Sequence, residues 1–170
     1  ENDDYFGSTI VGDADLNGDG YDDAVIGAEN GLIGQFRRGY VGVYFGSAEG
    51  YTNDIVYIEG ITDDDGDNLT VAFSPSLVNS GTPTILIAHP EYDGKDLNSG
   101  AVWGFFEPPQ QDVLFSDADL KIEGTAMNQY FGSSITSLGD VNQDGWNDIA
   151  VGAKGSENNK GSVLLFNAGY

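Results

Sequence analysis

The stretch Asp15-Leu16-Asn17-Gly18-Asp19-Gly20-Tyr21-Asp22-Asp23 decides how this chain is read. Asp15, Asn17, Asp19 and Asp23 stand at its first, third, fifth and ninth positions. In a curled loop, alternate residues aim at one centre, and carboxylate and amide oxygens suit a hard cation. Ca²⁺, which takes about six to eight oxygens in loose geometry, fits such a donor set. Gly20 permits a sharp turn that a Cβ would obstruct. Tyr21 is expected to add its backbone carbonyl, leaving its ring free to pack.

A second copy reads Asp140-Val141-Asn142-Gln143-Asp144-Gly145-Trp146-Asn147-Asp148. Asp140, Asn142, Asp144 and Asp148 repeat the side-chain ligands, and Trp146 takes the carbonyl position of Tyr21. The match runs outwards from Tyr5–Ala28 to Tyr130–Ala153 at a constant offset of 125, with 12 of 24 positions identical. Two chance acidic turns would not share their flanks, so the loop belongs to an internal repeat. An EF-hand opens with the same pattern but needs a Glu at its twelfth position and helices on both sides. Ile26 and Val151 stand there, inside the β-type runs Ala24-Val25-Ile26 and Ile149-Ala150-Val151. The loop therefore joins two strands and ends its ligand set at the ninth position.

Tyr5-Phe6-Gly7-Ser8, the loop and Val25-Ile26-Gly27-Ala28 together resemble an FG-GAP repeat, the blade unit of integrin-α-type β-propellers. Tyr130-Phe131-Gly132-Ser133, the second loop and Val151-Gly152-Ala153 resemble it equally. Glu29 and Lys154 replace the final Pro of the family pattern, which is not a ligand position. The resemblance implies blades of four antiparallel strands in a seven-bladed ring. It also implies metals that serve structure, and protein ligands bound through loops on another face.

Composition narrows the classes. With 28 acidic against 6 basic residues and a net charge of −22, partnership with nucleic acid or an anionic membrane is excluded. Two divalent ions would offset only four of those charges, so much of the acidity is solvated surface of a kind that salt screens. There is no Cys to form a disulfide, no signal peptide opens the sequence, and no apolar run approaches membrane-spanning length.

In chain order, residues 1–60 predict one blade: strands over Phe6–Val11, Asp23–Ala28, Tyr40–Phe45 and Asp54–Gly60. A Gly-rich loop carrying Arg37 and Arg38 lies between the second and third, and the two arginines are expected to pair with carboxylates. Residues 61–124 repeat the scheme without the metal chemistry. Gly100–Phe106 echoes Gly39–Phe45, and Asp119–Gly124 echoes Asp54–Gly60, but no Asp lies between the first two strands. The acidic Asp63–Asp67 run lacks ligand alternation and reads as a solvated turn between blades. Trp103, Phe105 and Phe106 suit packing between blades. Residues 125–170 supply three strands, the last over Gly161–Phe166, giving eleven strands: two complete blades and an unfinished third. Propellers carry roughly four to eight blades, so the expected partners are the remaining blades of a larger propeller or another copy of the chain.

The functional expectation is an extracellular or cell-surface module, stabilised by two Ca²⁺ and serving adhesion or protein interaction, with a protein ligand. The rival readings are the non-catalytic propeller portion of a secreted phospholipase or polysaccharide-degrading enzyme, and a structural subunit of a surface assembly. His89 is the single His, no Cys accompanies it, and no Ser sits in a nucleophile-elbow context, so the chain is read as non-enzymatic.

Overall fold

In the first sheet, successive side chains point to opposite faces, as the period-2 geometry of a strand requires, and one of those faces packs against the second blade. A computed structural model of the chain describes residues 4–33, 36–60, 68–75, 77–78 and 81–169. Strands β1 (Phe6–Ala14), β2 (Asp23–Ala28), β3 (Leu32–Ile33), β4 (Phe36–Arg37), β5 (Tyr40–Tyr44) and β6 (Ile55–Glu59) come first. Next are β7 (Thr70–Ser74), β8 (Thr84–His89), β9 (Ala101–Phe105), β10 (Val113–Leu114) and β11 (Leu120–Glu123). The last three are β12 (Phe131–Gly139), β13 (Asp148–Ala153) and β14 (Ser162–Phe166). Their sheets run β1-β2-β5-β6-β10, β11-β9-β8-β7 and β12-β13-β14, with β3-β4 as a separate ribbon. The chain is an all-β, partial β-propeller: two four-stranded antiparallel blades and three strands of another.

All eleven expected strands are present, and three more accompany them. The Gly-rich loop folds into the short β3–β4 ribbon, with Leu32 opposite Arg37 and Ile33 opposite Phe36. Strand β10 leaves the second blade and adds a fifth strand to the first, parallel to β6, with Val113 opposite Ile58. Asp112 Oδ1 accepts the Tyr57 amide at 2.9 Å, and Phe115 is fully buried with its ring 5.1 Å from that of Trp103. A two-residue parallel pairing between distant segments carries no alternation, so it leaves no pattern in the sequence. Asp63–Asp67 lies outside the described residues.

The core is divided between the blades. Val25, Val41, Val43 and Ile58 of the first blade pack against Val71, Ile85, Ile87 and Trp103 of the second. The other face of the second blade, with Leu86, Ala88 and Val102, packs on Phe131, Ile135, Ile149 and Val151 of the third. Every residue of β8 is buried because both its faces are covered. Burying a side chain such as Ile85 or Leu86 is worth about 1.5–3 kcal/mol. The innermost strands β1, β7 and β12 pack in succession. At the second junction the backbones touch: Gly100 bridges Phe131 in parallel, and a Cβ at Gly100 would lie 2.0 Å from the Phe131 carbonyl oxygen. Only glycine fits there, and its φ of +80° is left-handed besides.

Candidate metal centres

Both acidic loops connect the first two strands of their blade and carry the same internal network. In the first, Asp15 Oδ1 accepts the amides of Gly18 (2.7 Å) and Asp19 (3.1 Å), and its Oδ2 accepts that of Gly20 (2.8 Å). Asn17 Oδ1 accepts the Asp19 amide at 3.0 Å, and Asn17 Nδ2 donates to Asp19 Oδ2 at 3.0 Å. Asp19 Oδ1 accepts the Tyr21 amide at 2.9 Å. In the second, Asp140 accepts the amides of Asp144 (3.0 Å) and Gly145 (2.8 Å), while Asn142 donates to Asp144 at 2.7 Å. Asp144 Oδ1 accepts the Trp146 amide at 2.9 Å. Short polar side chains capture nearby amides readily, which is why Asp and Asn hold such turns.

The ninth position differs from the others. Asp23 and Asp148 are fully buried, whereas Asn17, Asp19, Asn142 and Asp144 are exposed. Asp23 Oδ2 accepts the Leu16 amide and its Oδ1 the Gly46 amide, both at 2.7 Å. Asp148 does the same with Val141 (3.0 Å) and Ala168 (3.1 Å). Each therefore ties the start of its loop to the chain leaving the third strand. Read from sequence as a terminal ligand only, this residue is also a structural brace. The sequence signal was slight: a small residue, Gly46 or Ala168, two places beyond that strand.

Burial is the largest influence on Asp23 and raises its pKa above the ordinary value. The amides of Gly46 and Leu16 pull it down, and the neighbouring charge of Asp19 pushes it up again. A carboxyl raised in this way costs stability once it ionises, so that cost grows as the pH climbs through its folded-state pKa. A cation beside it would offset both the burial and the repulsion.

The donor chemistry fits a hard ion, because an oxygen that accepts one amide keeps a second lone pair for ligation. The side chains are nonetheless turned onto the loop's own amides, and no three acidic or histidine side chains among the described residues surround one point. Asp15, Asp19 and Asp23, like Asp140, Asp144 and Asp148, come together along their loops without converging.

The second blade closes the same place differently. Thr84 precedes Ile85 as Asp23 precedes Ala24, and Ile85 opposes Phe105 as Ala24 opposes Tyr44. Thr84 is buried, with its hydroxyl lacking a hydrogen-bond partner among the described residues. Leu77 from this loop is buried in the second core. His89 is buried at the end of β8, its ring edge-on to Tyr92 at 6.3 Å, which is a packing role. Trp103 and Phe105 lie in the core between the first two blades, and Phe106 packs against the next. Arg38 is half-buried and donates its amide to the Gly31 carbonyl at 3.2 Å.

Antiparallel blades joined in series, with the acidic loop between the first and second strands, define a β-propeller segment built from repeats. Residues 131–166 match the FG-GAP repeat. Over 179 aligned residues the chain is 33% identical to integrin alpha-8 of Gallus gallus, covering 99% of this chain and 16% of that protein. It is 33% identical to integrin alpha-5 of Xenopus laevis, with 97% and 15% covered, and 32% identical to integrin alpha-V of Gallus gallus, again with 97% and 15%. The chain is thus an integrin-like FG-GAP module, and it spans about one sixth of the length of these relatives.

Proposed function

We propose that the chain is a calcium-stabilised propeller module for adhesion or protein–protein interaction, working outside the cell or at its surface. The observation that carries the metal half is the duplicated loop. Two segments 125 residues apart gather the same three carboxylates and one amide in the same network, at a standing cost in charge repulsion. Asp15, Asn17, Asp19 and Asp23 with the Tyr21 carbonyl hold one Ca²⁺, and Asp140, Asn142, Asp144 and Asp148 with the Trp146 carbonyl hold the other. Filling each loop replaces repulsion by ligation and pins the hairpin between its strands. Lacking a bidentate Glu, the sites fall in the roughly 10⁻⁴–10⁻³ M affinity class of extracellular modules.

The interaction half is supported by likeness to integrin alpha chains over nearly the whole sequence. The module is non-catalytic: its one His is buried against Tyr92, and its carboxylate clusters are engaged with the loops that carry them. Residues 1–60, 61–124 and 125–170 are its blade units. They work within a larger propeller or against another copy of the chain, and a protein is the ligand. The outer edge of β14 has no partner strand among the described residues. A groove of about 260 Å³ lies where the end of β14 meets β11, lined by Leu77, Phe106, Leu120, Ile122, Ile149 and Phe166.

Calorimetric titration with Ca²⁺ tests the assignment. Two sites are expected, with Asp19→Ala and Asp144→Ala each removing one. A third site, or heat unchanged in both variants, would overturn it.

A further inference from the structure

The sequence contains two Asn-Gly pairs, Asn17-Gly18 and Asn30-Gly31, and the fold treats them differently. Asparagine is thermolabile, most of all where the next backbone nitrogen reaches its side-chain carbon. Glycine, with no Cβ, leaves that nitrogen uncrowded. Asn17 and Gly18 are exposed, and Gly18 is left-handed at φ +78° with no atom within 4 Å of where its Cβ would be. Gly31 is buried beside the Tyr40 ring, and its amide is spent in a turn on the Ala28 carbonyl at 3.1 Å.

Around Asn17 the loop supplies what an acyl transfer needs. The Gly18 amide donates to Asp15 Oδ1 at 2.7 Å, so its proton already faces a carboxylate able to receive it. The Asp19 amide donates to Asn17 Oδ1 at 3.0 Å, where negative charge builds when the carbonyl carbon is attacked. Asn17 Nδ2, the leaving nitrogen, donates to Asp19 Oδ2 at 3.0 Å. Asn142 has the same two contacts with Asp144, at 3.0 and 2.7 Å. There, however, Gln143 takes the place of the glycine, and Asp140 accepts the amides of Asp144 and Gly145 instead.

From this arrangement we infer that Asn17 is a site of spontaneous deamidation and that Asn142 is its protected counterpart. The Gly18 nitrogen attacks Asn17 Cγ, and the new C–N bond closes a succinimide ring as the Cγ–Nδ2 bond breaks. The Gly18 proton passes through Asp15 to Nδ2, which leaves as ammonia. Solvent water then opens the ring at either carbonyl, leaving aspartate or isoaspartate at position 17, and nothing is oxidised or reduced. Either product adds a carboxylate to an acidic loop and removes the donor to Asp19. Isoaspartate also lengthens the backbone by a methylene at the loop's third position. The change runs one way, so the first loop departs from the second as the protein ages. No step needs a metal, and the inference does not rest on the calcium assignment.

Peptide mapping by mass spectrometry tests this on the folded chain, held in chelator at neutral pH and physiological temperature. Position 17 is expected to deamidate at least about tenfold faster than positions 30 and 142, yielding both aspartate and isoaspartate. In chain unfolded by guanidinium, positions 17 and 30 should react alike, because the fold sets them apart. Gly18→Gln should slow position 17 to the rate of Asn142. Asp15→Asn should slow it too, whereas losing a carboxylate that merely held the loop would speed it. Position 17 intact, or no faster than position 30 in the folded chain, would overturn the proposal. So would a rate unchanged by Gly18→Gln or not lowered by Asp15→Asn. These rates are read without metal, so their failure leaves the calcium assignment standing.

Discussion

The loop between β1 and β2 and the loop between β7 and β8 hold the same place in their blades by opposite chemistry. The first gathers charge around its own amides and braces itself with the buried Asp23. The second contains no Asp, puts Thr84 in place of that brace and buries Leu77 in the neighbouring core. The flanking strands nonetheless keep the same antiparallel pairing and the same position in their sheets. A repeat needs its hairpin closed, and an acidic loop braced by a buried carboxylate or an apolar loop with a buried leucine serves that end. On the proposed calcium reading, the condition under which each blade is stable differs as well.

Removing calcium gives the largest expected effect on this contrast. Ligation confined to the folded state contributes about 2.7 kcal/mol per site at 100 times Kd. Chelation should therefore lower the thermal midpoint and abolish hydrogen-exchange protection across residues 15–23 and 140–148. Protection around Leu77 and Val78 should hold. Equal loss in all three loops would erase the distinction between them.

Substituting the apolar plug comes next. Leu77→Ala removes a buried side chain at a cost of about 2–4 kcal/mol, to be measured by urea unfolding. The loss should be the same with calcium and with chelator. A loss that depends on calcium would mean that the plug and the metal loops act together.

The smallest effect separates the two acidic loops from each other. Their fourth position is left-handed in both, with Gly18 at φ 78° and Gln143 at φ 62°. Glycine adopts that conformation freely and glutamine does not, so Gln143→Gly should stabilise the protein by up to about 1 kcal/mol. Gly18→Gln should cost a similar amount. Thermal unfolding with calcium present would register both.

The eleven blade strands and both acidic loops were legible in the sequence because repetition multiplied each local signal. Tyr5–Ala28 alone is an acidic turn between apolar runs; set beside Tyr130–Ala153 it becomes a design. Features that occur once had no such support. Val113-Leu114 is two residues long and pairs in parallel with a partner far away in sequence, so β10 left no periodic trace. Leu77, flanked by Ser and Val, looked like any loop leucine, and its burial depends on the third blade lying over it. The bracing role of Asp23 was hidden because a ligand and a brace call for the same carboxylate. The unequal exposure of Leu16 and Val141 is a property of neighbours, which no local reading supplies.

Strand β10 also has a consequence for how the chain is made. The Tyr57 amide receives Asp112 as its partner, and 55 residues separate the two. At roughly 5–20 residues per second on a ribosome, β6 has emerged for about 3–11 s before its neighbour exists. During that interval the outer edge of the first sheet is open, and an open edge recruits whatever strand is nearby. Asp54 and Glu59 flank the apolar Ile55–Ile58 run and supply like charge against pairing with a nascent twin. The chain therefore finishes its first blade only when much of the second has been synthesised, and vectorial translation is the setting in which that delay matters most.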